Sequence, residues 1–272
     1  MTSVASSELL DLARKTALTA GALIFKRRQQ GVEVAASKTA PEDIVTFADR
    51  ESEELIRSLL AKARPNDGFF GEEGAATGGS SGLTWVVDPI DGTVNYLYGI
   101  PAYAVSIAAV EGEPDTNTWN ALAAVVFNPA ADELYTASAG AGAYLGSQRL
   151  TVPTGKTLSL ALVGTGFSYD SARRALQADA VSHLISSVRD IRRIGSAALD
   201  LCSIASGRLD AYYEKGLKPW DHAAGALVAA EAGARVAGMH GVPASRALII
   251  AAEPGLFDQL EPILDRLGVI DR

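Results

Sequence analysis

Between residues 7 and 30, apolar side chains recur at helical spacing, at Leu10, Ala13, Ala17, Ala20 and Ile24, and Gly31 then offers a stop. The pattern predicts a surface helix with one buried face. A polar stretch over 38–46 follows. Thr46, with Asp49 three residues on, reads as the capping start of a second amphipathic helix through Leu55, Ile56, Leu59 and Leu60, ending before Pro65. Residues 102–110, 121–127, 133–137, 142–145 and 149–152 alternate apolar with small or polar side chains between turn signals, as in an antiparallel meander. After residue 153 the pattern changes. Residues 160–163, 190–194, 211–213 and 247–252 read as strands, and 171–188, 196–206, 221–232 and 254–267 as helices. Alternating strands and helices predict an α/β lobe over 154–272, following an α+β lobe over 1–153.

Strand-like runs lead into acids at three places. Trp85, Val86 and Val87 run into Asp88, and Pro89 is expected to end the ladder there. Asp91 follows, then Gly92 and Thr93, a permissive turn whose hydroxyl can open a helix. Phe69 and Phe70 lead into Glu72 and Glu73, and Ala211, Tyr212 and Tyr213 precede Trp220 and Asp221 at the start of an Ala-rich helix. Ionised carboxylates held together and partly desolvated cost several kcal/mol per ion unless a cation lies between them. Mg²⁺ suits oxygen ligands and keeps open positions for a substrate phosphate, which a helix N-terminus binds from the other side. The same Asp, Pro and Gly residues are also ordinary turn formers.

Composition narrows the classes. The 272 residues are 48% hydrophobic, enough for a substantial core, and a net charge of −8 argues against a broad nucleic-acid or anionic-membrane footprint. A phosphate substrate must then be drawn by bound cations. The single Cys202 sits in an apolar helical run and reads as a buried thiol rather than a nucleophile. No apolar stretch approaches the roughly 18 residues of a membrane span, and the first residues lack the features of a signal peptide, so a cytoplasmic location is expected. Residues 75–82 form a Gly- and Ser-rich loop without a nucleotide-binding ending, and Gly164-Thr165-Gly166 reads as a strand-end turn. Arg192 and Arg193 can steady a phosphate or a partner's surface, but a basic pair at a strand end reads more readily as solvated, and the three histidines form no metal pattern, which leaves an oxygen-only ligand set.

Gly71-Glu72-Glu73, the run from Trp85 through Asp88-Pro89-Ile90-Asp91-Gly92-Thr93 to Asn95, and Trp220-Asp221-His222-Ala223-Ala224-Gly225 resemble, in this order, the three motifs of the inositol monophosphatase family. The likeness runs over nearly the whole chain and includes Lys38, Asp43, Thr46, Asp49, Gly195-Ser196-Ala197-Ala198 and Glu214. Gly74 stands where many members carry Ser, and His222 is an unusual neighbour for Asp221.

The resemblance implies layered α-β-α-β-α architecture with the site between two lobes, a homodimer, and two or three Mg²⁺ ions. Carried over residue by residue, Glu72, Asp88 and the Ile90 carbonyl hold one ion, while Asp88, Asp91 and Asp221 hold a second. Thr93 and Asp49 position the attacking water, Glu73 orients metal-bound waters or a third ion, and Gly92 and Thr93 hold the phosphate. Gly195, Ser196, Ala197 and Glu214 meet the alcohol part, with Glu72, Asp91 and Asp221 also facing substrate, and Lys38 and Asp43 lie on a loop over the metals. Inositol monophosphates lead as substrates. Histidinol phosphate, fructose 1,6-bisphosphate and adenosine bisphosphates compete on the same framework, and a catalytically silent regulatory or binding protein is the reading from another class.

Overall fold

The computed structural model describes residues 6–37, 44–112 and 114–270. Helix α1 (Ser6–Gln30) buries Leu9, Ala13, Ala17, Ala20 and Ile24, so Leu9 rather than Leu10 completes the expected stripe. Where the sequence reads as a polar turn, β1 (Val34–Ser37) pairs antiparallel with β2 (Ile44–Thr46). Lys38 and Asp43 fall outside the described residues. Helix α2 (Phe47–Ala63) starts at the Thr46 cap as expected, but the stripe it buries includes Asp49, Ser52 and Glu53 along with Ile56 and Leu60.

Strands β3 (Gly68–Gly71) and β4 (Leu83–Asp91) are parallel neighbours, and the short helix α3 (Thr93–Tyr98) follows β4. Strands β5 (Ala104–Glu111), β6 (Asn120–Asn128), β7 (Glu133–Ser138), β8 (Gly142–Leu145) and β9 (Gln148–Arg149) complete a seven-stranded sheet in sequence order, the meander predicted from alternation. The last strand is shorter than expected: Leu150 and Val152 are buried beyond its end.

A second sheet takes β10 (Leu162–Thr165), then helix α4 (Ser171–Leu184), β11 (Asp190–Arg192), helix α5 (Ala197–Ala205), β12 (Ala211–Glu214), helix α6 (Pro219–Glu231), β13 (Arg235–Ala237), β14 (Ile249–Ala252) and helix α7 (Pro254–Arg266). Its order is β11-β10-β12-β14-β13. Three strands are parallel, but β14 runs antiparallel to both β12 and β13, so the expected α/β pattern gives a mixed sheet. Strand β13 was not legible because its three residues, Arg-Val-Ala, carry almost no pattern.

Side-chain alternation along the strands builds the layers. On the large sheet, Trp85, Val87, Val105, Ile107 and Val125 face α1 and α2. Val86, Ala108, Val126 and Tyr135 face the opposite way, onto α5 and α6, which also cover Tyr212, Ile249 and Ala251 of the smaller sheet. The far face of that sheet, through Val163, Tyr213 and Ile250, packs with Leu184 of α4 and Leu260 of α7. The order is α-β-α-β-α, as expected. Helices α5 and α6 meet closely because Gly225 has no side chain: a Cβ there would lie 2.8 Å from Leu201 Cβ and 3.0 Å from the Ala198 carbonyl. Each fully buried Leu, Ile or Phe in these layers contributes about 1.5–3 kcal/mol.

Candidate active site

Strand β4 does not stop at Asp88 as expected. It continues to Asp91, while its pairing with β5 lapses between Asp88↔Ser106 and Asp91↔Ala104. Pro89 lacks a donor and falls in this lapse, so the strand bulges instead of ending. Asp88 Oδ1 accepts the Ile90 N–H at 3.0 Å. Asp91 Oδ2 accepts the Ser196 hydroxyl at 2.6 Å and the Ala198 N–H at 2.7 Å, so one oxygen of this carboxylate anchors the first turn of α5. Gly92, at φ +96°, allows the chain to turn there, and a Cβ would sit 2.9 Å from the Ala102 carbonyl and 3.2 Å from that of Gly195.

The Thr93 hydroxyl lies 3.1 Å from both Asp49 Oδ1 and the Ile90 carbonyl. The other Asp49 oxygen accepts the Thr46 N–H at 2.8 Å and the Thr46 hydroxyl, so Asp49 caps α2 and reaches Thr93 at once. One turn further along α2, Glu53 Oε2 accepts the Glu73 N–H at 2.7 Å and Oε1 meets Arg57 at 3.1 Å. Sequence reading missed this clasp. A Cβ at Gly74 would lie 2.7 Å from Glu53 Oε1, which accounts for glycine there in this chain. The available signal was spacing: Asp49 and Glu53 share the helical stripe of Ile56 and Leu60, where charge is unexpected.

Helix α6 begins two residues before the expected start. Asp221 is in its first turn, with Oδ2 accepting the Lys218 N–H at 2.6 Å. Glu214 ends β12 and accepts the Tyr212 hydroxyl at 2.5 Å, and Gly166 is bare because a Cβ would fall 1.9 Å from the Glu214 carboxylate. Glu72, Asp88, Ile90, Asp91, Gly92 and Thr93 line one cleft of about 590 Å³ with Gly195, Ser196, Ala197, Glu214 and Asp221. Asp49 and Glu73 are not on its surface: Asp49 stands behind Thr93, and Glu73 is held through its backbone by Glu53. Arg193, by contrast, does line the cleft, while Arg192 turns away to Asp190 at 2.5 Å, so the two arginines are not one solvated pair.

The acids repel one another. Burial and then the neighbouring Glu72, Asp91 and Asp221 charges push the Asp88 carboxyl well above its usual value, and burial followed by Glu72 and Asp91 does the same to Asp221. Asp91 is pushed up to about 7 by burial, against the opposing hydrogen bonds from Ser196 and Ala198. Among the described residues no Lys, Arg or His lies within ion-pair distance of Asp88, Asp91 or Asp221. Among the described residues no three His, Cys, Asp or Glu side chains already stand close enough together to hold a metal ion. Buried oxygen ligands without a counter-charge fit a hard divalent cation, which would draw them inward and relieve their repulsion. His222 adds no charge at neutral pH, since burial lowers its pKa to about 4.

This electrostatic debt sets a pH dependence. Asp49 and Asp91 keep their protons in the fold up to about 7, against 3.8 ordinarily, so between these values the folded state binds more protons than the unfolded one. Stability then falls as pH rises through that window. In EDTA, Tm is expected to drop between about pH 5 and pH 7.5, and Mg²⁺ is expected to shrink the drop; a flat profile in EDTA would contradict these shifts.

The sequence matches the model of the inositol monophosphatase family over residues 5–265. The chain belongs to the inositol monophosphatase family. An inositol-1-monophosphatase of Mycobacterium bovis is 43% identical over 289 residues, 97% of this chain and 96% of that protein. The Nus factor SuhB of Xylella fastidiosa is 42% identical over 85% of this chain and 82% of its own. The solved structure of Mycobacterium tuberculosis SuhB superposes with a TM-score of 0.82 at 43% identity, covering 98% of this chain and all of that one. An inositol monophosphatase fold therefore carries the cleft described above, in a phosphatase family.

Proposed function

We propose that this inositol monophosphatase family member is a Mg²⁺-dependent phosphomonoesterase that hydrolyses myo-inositol 1-phosphate to inositol and inorganic phosphate. The observation that carries the reading is the convergence of Glu72, Asp88, Asp91 and Asp221 in one cleft with the Thr93–Asp49 pair. Glu72, Asp88 and the Ile90 carbonyl would hold one Mg²⁺ ion and Asp88, Asp91 and Asp221 a second, and Glu73, set back from the cleft surface, would orient metal-bound waters or a third ion. Bound there, Mg²⁺ supplies Lewis-acid activation of water and neutralises charge on the departing oxygen.

The chain's own groups do the rest. The Thr93 hydroxyl donates to Asp49 and leaves lone pairs to accept a proton from the attacking water. Asp49, raised to about 7 by burial, is a base matched to neutral pH. The Gly92 and Thr93 N–H groups orient the phosphate, and Glu214 with Gly195-Ser196-Ala197 meets the ring hydroxyls. A division of the chain at residues 153 and 154, lithium sensitivity, a cytoplasmic location and a homodimer also belong to this reading. No helix among the described residues is long and apolar enough to cross a membrane.

Hydrolysis of inositol 1-phosphate is expected to require Mg²⁺, to stop in EDTA and to be inhibited by Li⁺ at about millimolar concentration, since a monovalent ion neutralises the leaving oxygen less well. Full turnover in EDTA would sink the proposal. The name Nus factor, carried by relatives in Xylella fastidiosa and Pasteurella multocida, favours a regulatory role as second reading; absence of turnover across a phosphomonoester panel with Mg²⁺ would select it.

A further inference from the structure

The motif that opens at Trp85 closes on Asn95, a residue that neither reaches the cleft surface nor serves as one of the proposed ligands. Asn95 follows Thr93 in α3, and its side chain is buried. Its Nδ2 donates to two carbonyls at once. One is that of Ala102 at 2.7 Å, between α3 and β5; the other is that of Ile194 at 2.9 Å, 99 residues away, at the entry to the turn through Gly195, Ser196 and Ala197. A primary amide nitrogen offers two N–H donors, whereas the carboxylate of the same shape offers only acceptors. Both donors are used here.

The two segments approach closely. A Cβ on Gly195, at φ +94°, would lie 3.1 Å from Asn95 Nδ2, and one on Gly92 would lie 3.2 Å from the Gly195 carbonyl and 3.3 Å from Ser196 Cβ. Beyond Gly195, the Ser196 hydroxyl and the Ala198 N–H donate to Asp91. The turn is therefore tied on both sides to the segment 91–95. The ties differ, because Asp91 belongs to the proposed metal site and Asn95 does not. Gly92 follows β4 of the large sheet and Gly195 follows β11 of the smaller one, so no single strand or helix sets the distance between them. A ligand that touches both turns gains when their separation is fixed beforehand, since less freedom is lost on binding. A phosphate ester without hydroxyls touches the first turn alone and gains nothing from it.

We propose that Asn95 is a positioning residue that fixes the turn 194–197 against Gly92 and Thr93, and so makes the cleft selective for polyol phosphates over phosphate esters whose alcohol part carries no further hydroxyl. The inference rests on the phosphatase reading above for what the two turns bind.

Inositol 1-phosphate and phenyl phosphate separate the two turns. Asn95→Asp keeps the shape but sets oxygen against two carbonyl oxygens, and Asn95→Ser keeps a single donor. With the full chain and Mg²⁺, Asn95→Asp is expected to lower kcat/KM for inositol 1-phosphate by about tenfold or more, through KM, and for phenyl phosphate by less than about threefold, with Asn95→Ser between wild type and Asn95→Asp. Equal losses on both esters would make Asn95 a structural residue only, and no loss on inositol 1-phosphate would remove it from recognition; either result overturns the inference. Circular dichroism checks folding, and if Asn95→Asp does not fold, Asn95→Ser decides by the same comparison. Turnover of neither ester by the wild type sinks the phosphatase reading by itself. If either ester is not hydrolysed, thermal-shift titrations with both decide on Asn95: a larger shift with inositol 1-phosphate in the wild type, lost in Asn95→Ser, supports the tie, and equal shifts in the wild type or a difference that survives in the variant refute it.

Discussion

Asp91→Asn is expected to lower turnover on inositol 1-phosphate by about 10²–10³-fold at saturating Mg²⁺, the loss that follows from removing several kcal/mol of transition-state charge stabilisation. Asp91 has two roles that the amide separates. Its Oδ2 holds the start of α5 through Ser196 and Ala198. Asn keeps an oxygen that can accept these bonds, so the fold is expected to change by no more than about 1 kcal/mol, the worth of one such hydrogen bond. What Asn loses is the charge, and a neutral amide is a weak ligand for a hard cation. Circular dichroism with steady-state kinetics reads both. Near wild-type turnover in a folded variant would remove Asp91 from the metal site and leave it as an anchor for α5. Ser196→Ala is the control: it deletes a hydrogen bond to Asp91 but no ligand charge, and its turnover is expected to fall far less.

The same residues show what a sequence discloses. Asp88, Asp91, Glu72 and Asp221 were legible because each follows or opens a recognisable run, and their joint meaning came from three spaced motifs. The helices of the first layer were legible from 3.6-residue spacing and the meander from alternation, since both record which face meets the core. Pro89 misled because a proline is read as a stop, whereas a bulge lets the chain pass it unpaired and still deliver Asp91 back to the ladder opposite Ala104. Glu53 was hidden because its partner, the Glu73 N–H, lies 20 residues away. Arg193 reads as solvated in the sequence for a topological reason: it follows β11 and comes to line the cleft only through the strand order β11-β10-β12-β14-β13, which no local pattern encodes.

Asp221→Asn is expected to separate a helix cap from a metal ligand. In the fold Asp221 Oδ2 accepts the Lys218 N–H in the first turn of α6, a role worth about 1 kcal/mol that needs no metal and that Asn fills nearly as well. Against it stands the electrostatic position of the side chain. Burial and the charges of Glu72 and Asp91 raise its pKa, so the acid is held at an energetic cost that capping alone does not require. The amide removes that cost, and without Mg²⁺ the variant should melt at or slightly above the wild-type temperature near pH 7. On adding Mg²⁺ the wild type should gain stability with occupancy, because a ligand bound only by the folded state shifts unfolding by mass action, and the variant should gain markedly less. Turnover should fall by about two orders of magnitude or more, for the same reason as at Asp91. Melting curves across a Mg²⁺ titration measure the first effect and kinetics the second. If the variant kept the wild-type gain in Tm and wild-type turnover, Asp221 would be a cap alone, and the metal site would be confined to Glu72, Asp88, Ile90 and Asp91.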